Sequence, residues 1–327
     1  MLPPLTQLRV SSVGAVKRKR EPGGASDELG LPDPYDVVSV NGAQWLWRYM
    51  RRLEERYKND DTDYTSSLVS VDESAKYWDA TYREDQYRRL YYQYKDFLNS
   101  IDVDVKKDVK TDMEKDGASS ETINEAIEKQ KKKDTLQTWV GEGPDFNQYL
   151  LYHKMPSYPS TYFMDDLPQN VHRLYKLLLN CPRLNERAVF LRSVLKEWDL
   201  PHGTQYPVRG KAYLNVTFMS TSIAEPHEYF DTEYMGLQKF FDADNMCCLY
   251  VITAPAGLPV LPIPFAPNDI DSAPYEKEVL LPPGLLLVYQ GERTLSVGKG
   301  REEEAVIHFY QAVVPPKLDP LVETLSS

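Results

Sequence analysis

Tyr275-Glu276-Lys277-Glu278-Val279-Leu280-Leu281-Pro282-Pro283-Gly284 sets two carboxylates two residues apart and then runs into an apolar stretch closed by two prolines and a glycine. Residues i and i+2 lie on the same side of a strand, so Glu276 and Glu278 share a face. Like charges side by side repel, which raises at least one pKa unless water or a cation relieves them, and such pairs are where acid and base roles are often divided. A solvated surface pair beside Lys277 is the alternative, and the buried run that follows weakens it.

Outward from this stretch, short apolar segments are separated by Pro, Gly and Asn. They predict strands over 188–194, 213–219, 247–253, 278–281, 285–289 and 305–313, with a helix over 170–179 ahead of the first. Strands crowded together after helices indicate an α+β domain rather than alternating βαβ units. Upstream, residues 43–98 are helical and aromatic in pattern, and Tyr87, Leu90, Tyr91 and Tyr94 follow the i, i+3, i+4, i+7 spacing of one helix face. That face is read as the one packing on the following domain, with a stacking or partner surface as the alternative. Residues 102–134 alternate Asp, Lys and Glu and predict a mobile connection ending in a short exposed helix, with Thr122 and Glu125 as its capping box. Lys131-Lys132-Lys133 sits among acidic residues and reads as a solvated face. The domain plan is therefore a tail over 1–35, an aromatic helical region over 36–135 that includes the charged connection, a main domain over 136–317 and a second tail over 318–327.

Composition narrows the function. The 327 residues carry a formal charge of -11 and 42% apolar side chains, which suits a globular protein and argues against a nucleic-acid binder that must neutralise many phosphates. No stretch approaches ~18 uninterrupted apolar residues, so no membrane span is expected, and the first residues lack the pattern of a secretory signal. Cys181, Cys247 and Cys248 offer no plausible disulfide framework and point to a reducing compartment. Lys17-Arg18-Lys19-Arg20 is a basic run of the kind read by nuclear import receptors, and equally a run that arises in a solvated tail, so the expected location is cytoplasmic or nuclear. Gly298-Lys299-Gly300 is not a dinucleotide fingerprint, no phosphate loop or nucleophile elbow is present, and no His/Cys spacing suits a metal.

Two further segments carry unusual chemistry. Phe190-Leu191-Arg192-Ser193-Val194 places a cation in an apolar strand, which is costly unless an anion meets it, though an outward-facing edge position would also accommodate it. Phe218-Met219-Ser220-Thr221-Ser222 ends a strand in three hydroxyls able to bond a carboxylate or a ligand amide, or simply to end the strand. In order, Arg192, Ser220-Thr221-Ser222 and Glu276-Lys277-Glu278 resemble the R-S-E class of mono-ADP-ribosyltransferases, the group of clostridial binary toxins and arginine-specific enzymes. Ser220 follows Arg192 by 28 positions and Glu278 follows Ser220 by 58. The run from Cys248 to Gly257 with Leu261-Pro262-Ile263 is similar to that family's strand, turn and strand before the catalytic loop, so the resemblance covers about 140–316. Arg209-Gly210 lies too close to Ser220 to be the family arginine, and His202-Gly203-Thr204 resembles the motif of the poly-ADP-ribose polymerase class without its other elements.

The resemblance implies an ADP-ribosyltransferase-like core of two packed antiparallel or mixed sheets flanked by helices, with NAD as substrate and no metal. It implies that Glu278 is the catalytic carboxylate, that Glu276 serves the acceptor, and that the acceptor is a protein arginine. Arg192 would hold the pyrophosphate or a ribose. Ser220 would hold Glu278, Thr221 and Ser222 would shape the nicotinamide pocket, and Ser193 stands where the family often has Gly. Phe230 is a stacking candidate for nicotinamide, against a core role, and residues 264–274 resemble the acceptor-recognition loop. The competing expectations are a degenerate member of the same fold with a structural or binding role, and an NAD glycohydrolase with water as acceptor.

Overall fold

A computed structural model of the chain describes residues 42–76, 80–101, 119–152, 167–195, 207–223, 247–263, 277–296 and 304–315. Among the described residues five α-helices precede the strands: α1 (Gly42–Tyr57), α2 (Val71–Ala75), α3 (Ala80–Ile101), α4 (Ser120–Tyr152) and α5 (Leu167–Leu179). The strands are β1 (Ala188–Leu195), β2 (Ala212–Asn215), β3 (Met219–Ser222), β4 (Cys247–Ala254), β5 (Leu261–Pro262), β6 (Glu278–Leu281), β7 (Leu285–Ser296) and β8 (Glu304–Val313). The protein is α+β, as expected.

All eight strands form one mixed sheet in the order β2-β7-β8-β4-β1-β3-β6-β5, with β4 and β8 parallel and the other neighbours antiparallel. The two sheets implied by the resemblance are here joined at a waist, where among the described residues β1 and β3 share the partner pair Leu191↔Ser222. Consecutive strands β6 and β7 fall on opposite sides of that waist. Between them Pro282-Pro283 ends β6, and Gly284 takes φ +90, a left-handed conformation that glycine adopts without penalty. A Cβ there would lie 3.2 Å from Leu53 Cδ1 and 3.3 Å from Met50 Cε, so α1 is seated on this turn.

The strand expected over 213–219 divides into β2 and β3. Asn215 Nδ2 donates to the Thr217 carbonyl at 2.6 Å and Thr217 Oγ1 donates back to Asn215 Oδ1 at 3.0 Å, and this local exchange replaces ladder bonds. Asn147 of α4 then takes both backbone groups of Phe218, accepting from its N–H at 2.9 Å and donating to its carbonyl at 3.1 Å.

α4 corrects the expectation of a short exposed helix and a following strand texture. It runs for 33 residues through Gly141, Gly143 and Pro144. Its N-cap is Ser119, whose Oγ accepts from the Thr122 N–H at 3.2 Å, rather than Thr122 itself. The helix persists because Leu136, Trp139, Phe146 and Leu150 recur at helical spacing and are all buried, so tertiary packing overrides the helix-breaking residues. The α3 expectation is also modified. Leu90 and Tyr94 are buried, yet Tyr91 is 42% exposed, and the inward stripe continues through Gln86 and Arg83 instead. Residues 102–118 lie outside the described residues.

Candidate functional site

The waist of the sheet is where the chemistry-bearing residues meet. β1 contributes Arg192, in register with Tyr250 of β4. β3 contributes Ser220 and Ser222, and antiparallel pairing sets Ser222 directly opposite Glu278, the first residue of β6. Ser220 is two residues before Ser222 and so shares its face with Glu278. Its hydroxyl hydrogen-bonds the Glu278 carboxylate, and its carbonyl accepts from Arg192 Nη1 at 2.9 Å. Arg192, Ser220 and Glu278, far apart in sequence, are thus in one connected set.

Glu278 is a half-buried, partly desolvated carboxylate. Burial pushes its pKa above the ordinary glutamate value, while hydrogen bonds from Ser220 and Trp139 and the positive charge of Arg192 pull it back. Its ionised form is therefore held by three protein groups in place of water, and a carboxylate in such surroundings acts strongly on any positive charge that develops beside it. The preceding residue is strained into place: Lys277 has φ +43, uncommon for a residue with a Cβ. Its ammonium lies 4.8 Å from the centre of the Tyr87 ring of α3, a cation–π contact that anchors the entry to β6.

The other expected site residues fall differently. Thr221 is buried on the opposite face of β3 and donates its hydroxyl to the Val279 carbonyl, a ladder-stiffening bond away from the carboxylate. Ser222 is buried beside Glu278, and its carbonyl accepts from Arg83 Nη2 at 3.2 Å. Ser193 stands on β1 opposite Leu249. Glu276, Phe230, the 264–274 loop and His202-Gly203-Thr204 lie outside the described residues. Arg209-Gly210 belongs to a turn before β2, where Gly210 takes φ +81 and donates its N–H to the Tyr289 carbonyl at 2.9 Å.

Two residues at the site escaped the sequence reading. Trp139 of α4 donates its indole N–H to Glu278 Oε1 at 3.3 Å. Arg83 of α3, fully buried, donates to the carbonyls of Val189 at 2.5 Å and Ser222 at 3.2 Å, bridging β1 and β3. The available signal for Trp139 was its place in the 136, 139, 146, 150 stripe, masked by the neighbouring Gly and Pro. Among the described residues no group of three or more His, Cys, Asp or Glu side chains could hold a metal ion, and no helix is long and apolar enough to cross a membrane.

No family model matches the chain, and none of the curated proteins matches it. The solved structures it is similar to include ADP-ribosyltransferase toxins. Plx2a from Paenibacillus larvae is 15% identical with a TM-score of 0.37, over 56% of this chain and 85% of that one. C3stau2 from S. aureus, solved with NAD, is 12% identical with a TM-score of 0.40, over 57% of this chain and 88% of that one. BECa of a binary enterotoxin of C. perfringens, solved with NADH, is 15% identical with a TM-score of 0.39, over 56% of this chain and 43% of that one, so this chain spans less than half of its length. These superpositions are partial, taking in 56–57% of this chain.

Proposed function

We propose that the chain is an NAD-dependent mono-ADP-ribosyltransferase that moves ADP-ribose to a protein side chain, with arginine as the acceptor. The observation that carries the reading is the connected set of Arg192, Ser220 and Glu278 at the sheet waist. The bond between ribose C1′ and the nicotinamide nitrogen breaks heterolytically, nicotinamide leaves with the electron pair, and C1′ becomes oxocarbenium-like. An adjacent carboxylate whose attraction grows with that charge lowers the barrier. Glu278 is that carboxylate, acting on the ribose 2′-hydroxyl and the developing cation. The acceptor nitrogen then attacks C1′ and gives up a proton, for which Glu276 is the base.

Arg192 is suited to the pyrophosphate because a guanidinium forms bidentate bonds with phosphate oxygens, and its bond to the Ser220 carbonyl fixes the fork beside Glu278. Ser220 orients Glu278 through its hydroxyl. Ser193 and Ser222 would line the nicotinamide side together with Phe230, whereas the buried bond of Thr221 fits a supporting role in β3.

The test is nicotinamide release from NAD by the wild type and by Glu278→Gln. The substitution should lower the rate by about 10²–10³-fold, the usual scale for losing one preorganised charge-stabilising group. Equal release by both proteins would remove the catalytic assignment. Labelled NAD incubated with a lysate, followed by mapping of modified residues, tests the acceptor, and modification confined to Asp, Asn or Cys would refute arginine. Glu276→Ala should abolish transfer to protein while leaving hydrolysis of NAD.

A further inference from the structure

We propose that Trp139 is a positioning residue for Glu278, its indole N–H fixing the direction of the carboxylate from a helix that lies outside the sheet. The proposal rests on the reading of Glu278 as the catalytic carboxylate. Trp139 Nε1 lies 3.3 Å from Glu278 Oε1, a bond spanning 139 residues of sequence. The indole is 4% exposed, and a buried indole N–H requires an acceptor; here the acceptor is the carboxylate itself.

The ring has little freedom. Phe146 meets it edge-on at 5.5 Å and 88°, and Phe218 at 5.6 Å and 63°. Gly143, one turn further along α4, lies against the indole, where a Cβ would stand in ordinary van der Waals contact with the ring at 3.5 Å. Phe218 is in turn held at both backbone groups by Asn147 of the same helix, and it leads directly into Met219-Ser220-Thr221-Ser222. α4 thus orients both partners of the Ser220–Glu278 bond, one through Trp139 and the other through Asn147 and Phe218. A phenylalanine at 139 would satisfy the packing but not the carboxylate, so the two roles are separable by substitution.

Around Glu278 the other groups that set its ionisation are Arg192 and Ser220 on β1 and β3, with Lys277 adjacent in the chain and turned onto Tyr87 of α3. The Trp139 bond favours the charged form, because an N–H can donate to a carboxylate but gains less from a neutral acid.

The experiment uses the full chain and two independent readouts. In ¹H–¹⁵N spectra the indole N–H of Trp139, assigned by nuclear Overhauser contacts to the Phe146 and Phe218 rings, should shift with pH as Glu278 titrates and should stop doing so in Glu278→Gln. In kinetics, Trp139→Phe should move the acid limb of nicotinamide release to higher pH, with kcat about tenfold lower above that limb, where the carboxylate is ionised but no longer oriented, and a larger deficit below it. KM for NAD should stay within about twofold. An indole signal that ignores pH, or that titrates identically in Glu278→Gln, overturns the proposal. So does a Trp139→Phe enzyme that is slower by the same factor at every pH, the signature of a packing defect. The spectra of wild type and Glu278→Gln decide the question even when Trp139→Phe does not fold. A wild type that releases no nicotinamide, with an indole that still follows Glu278, upholds the bond and refutes the function proposed above.

Discussion

A carboxylate held away from water is favourable for charge stabilisation and unfavourable for folding, and Glu278 carries both consequences. Its folded pKa is raised by burial above the ordinary value of 4.5. Between those two values the folded chain keeps a proton that the unfolded chain has lost, so stability falls as pH rises through that window and stays lower above it. Glu278→Gln cannot ionise and should melt at a higher temperature than wild type at neutral pH, with the gap closing as pH falls through that window towards about 4.5. Calorimetry of both proteins from acid to neutral pH checks this, and a gap independent of pH would mean that burial of the charge is not what the substitution relieves. The residues of this centre differed in how readable they were. Arg192 and Glu278 stood out because a charge in an apolar strand needs a reason, whereas Trp139 in an aromatic helix does not. Thr221 and Ser222 were read alike as shaping the nicotinamide pocket, but the pleat leaves Ser222 opposite Glu278 and sends Thr221 to the Val279 carbonyl.

Among the described residues the β1 strand has ladder partners along its whole length on the β4 side and one on the β3 side. A buried strand with open backbone groups is costly, and α3 supplies what the sheet omits. Gln86 accepts from the Val189 N–H at 2.9 Å and donates to its carbonyl at 2.7 Å, imitating a neighbouring strand. Arg83, one turn earlier, adds its bond to the same carbonyl and reaches across to Ser222. Arg83→Met keeps the stem and removes the donors, leaving the Ser222 carbonyl and part of the Val189 carbonyl unmet; it should cost about 3 kcal/mol, measurable as a lower urea midpoint at unchanged slope. A loss below about 0.5 kcal/mol would show that water replaces the guanidinium. β1, β4, β6 and β8 were recognisable because apolar runs bounded by turn residues have few other uses. α4 was not, since Gly141, Gly143 and Pro144 argue locally for a break that only the buried stripe overrides. The α3 face was misjudged at Tyr91 for a related reason: apolar periodicity cannot reveal a stripe whose buried members include Arg83 and Gln86.

At the scale of the molecule, the helices before the sheet share its core. One apolar cluster joins Leu46, Met50 and Leu53 of α1 and Leu90 and Tyr94 of α3 to Tyr175 of α5 and to Phe190, Leu280 and Leu286 of the strands. The resemblance noted in the sequence begins near residue 140, because its motifs sit on strands and the helices that support them carry packing residues of no fixed identity. The side chains of Leu46, Met50, Leu53, Leu90 and Tyr94 are each 5% exposed or less. At ~2 kcal/mol for each, their burial supplies on the order of 10 kcal/mol, as much as the net stability of a typical domain. A fragment of residues 119–327 would keep α4 whole, yet it would uncover the α5 face and the Gly284 turn and lose Arg83 and Gln86 from β1. It should therefore fail to unfold cooperatively, bind a hydrophobic dye at neutral pH and release no nicotinamide, while the full chain shows a single sharp transition. A fragment with a dispersed amide spectrum and a cooperative urea transition would instead make the sheet and its last two described helices a self-sufficient unit. The waist would then need another source of support, since α3 holds β1 to β3 through Arg83, whereas α4 reaches Glu278 and Phe218.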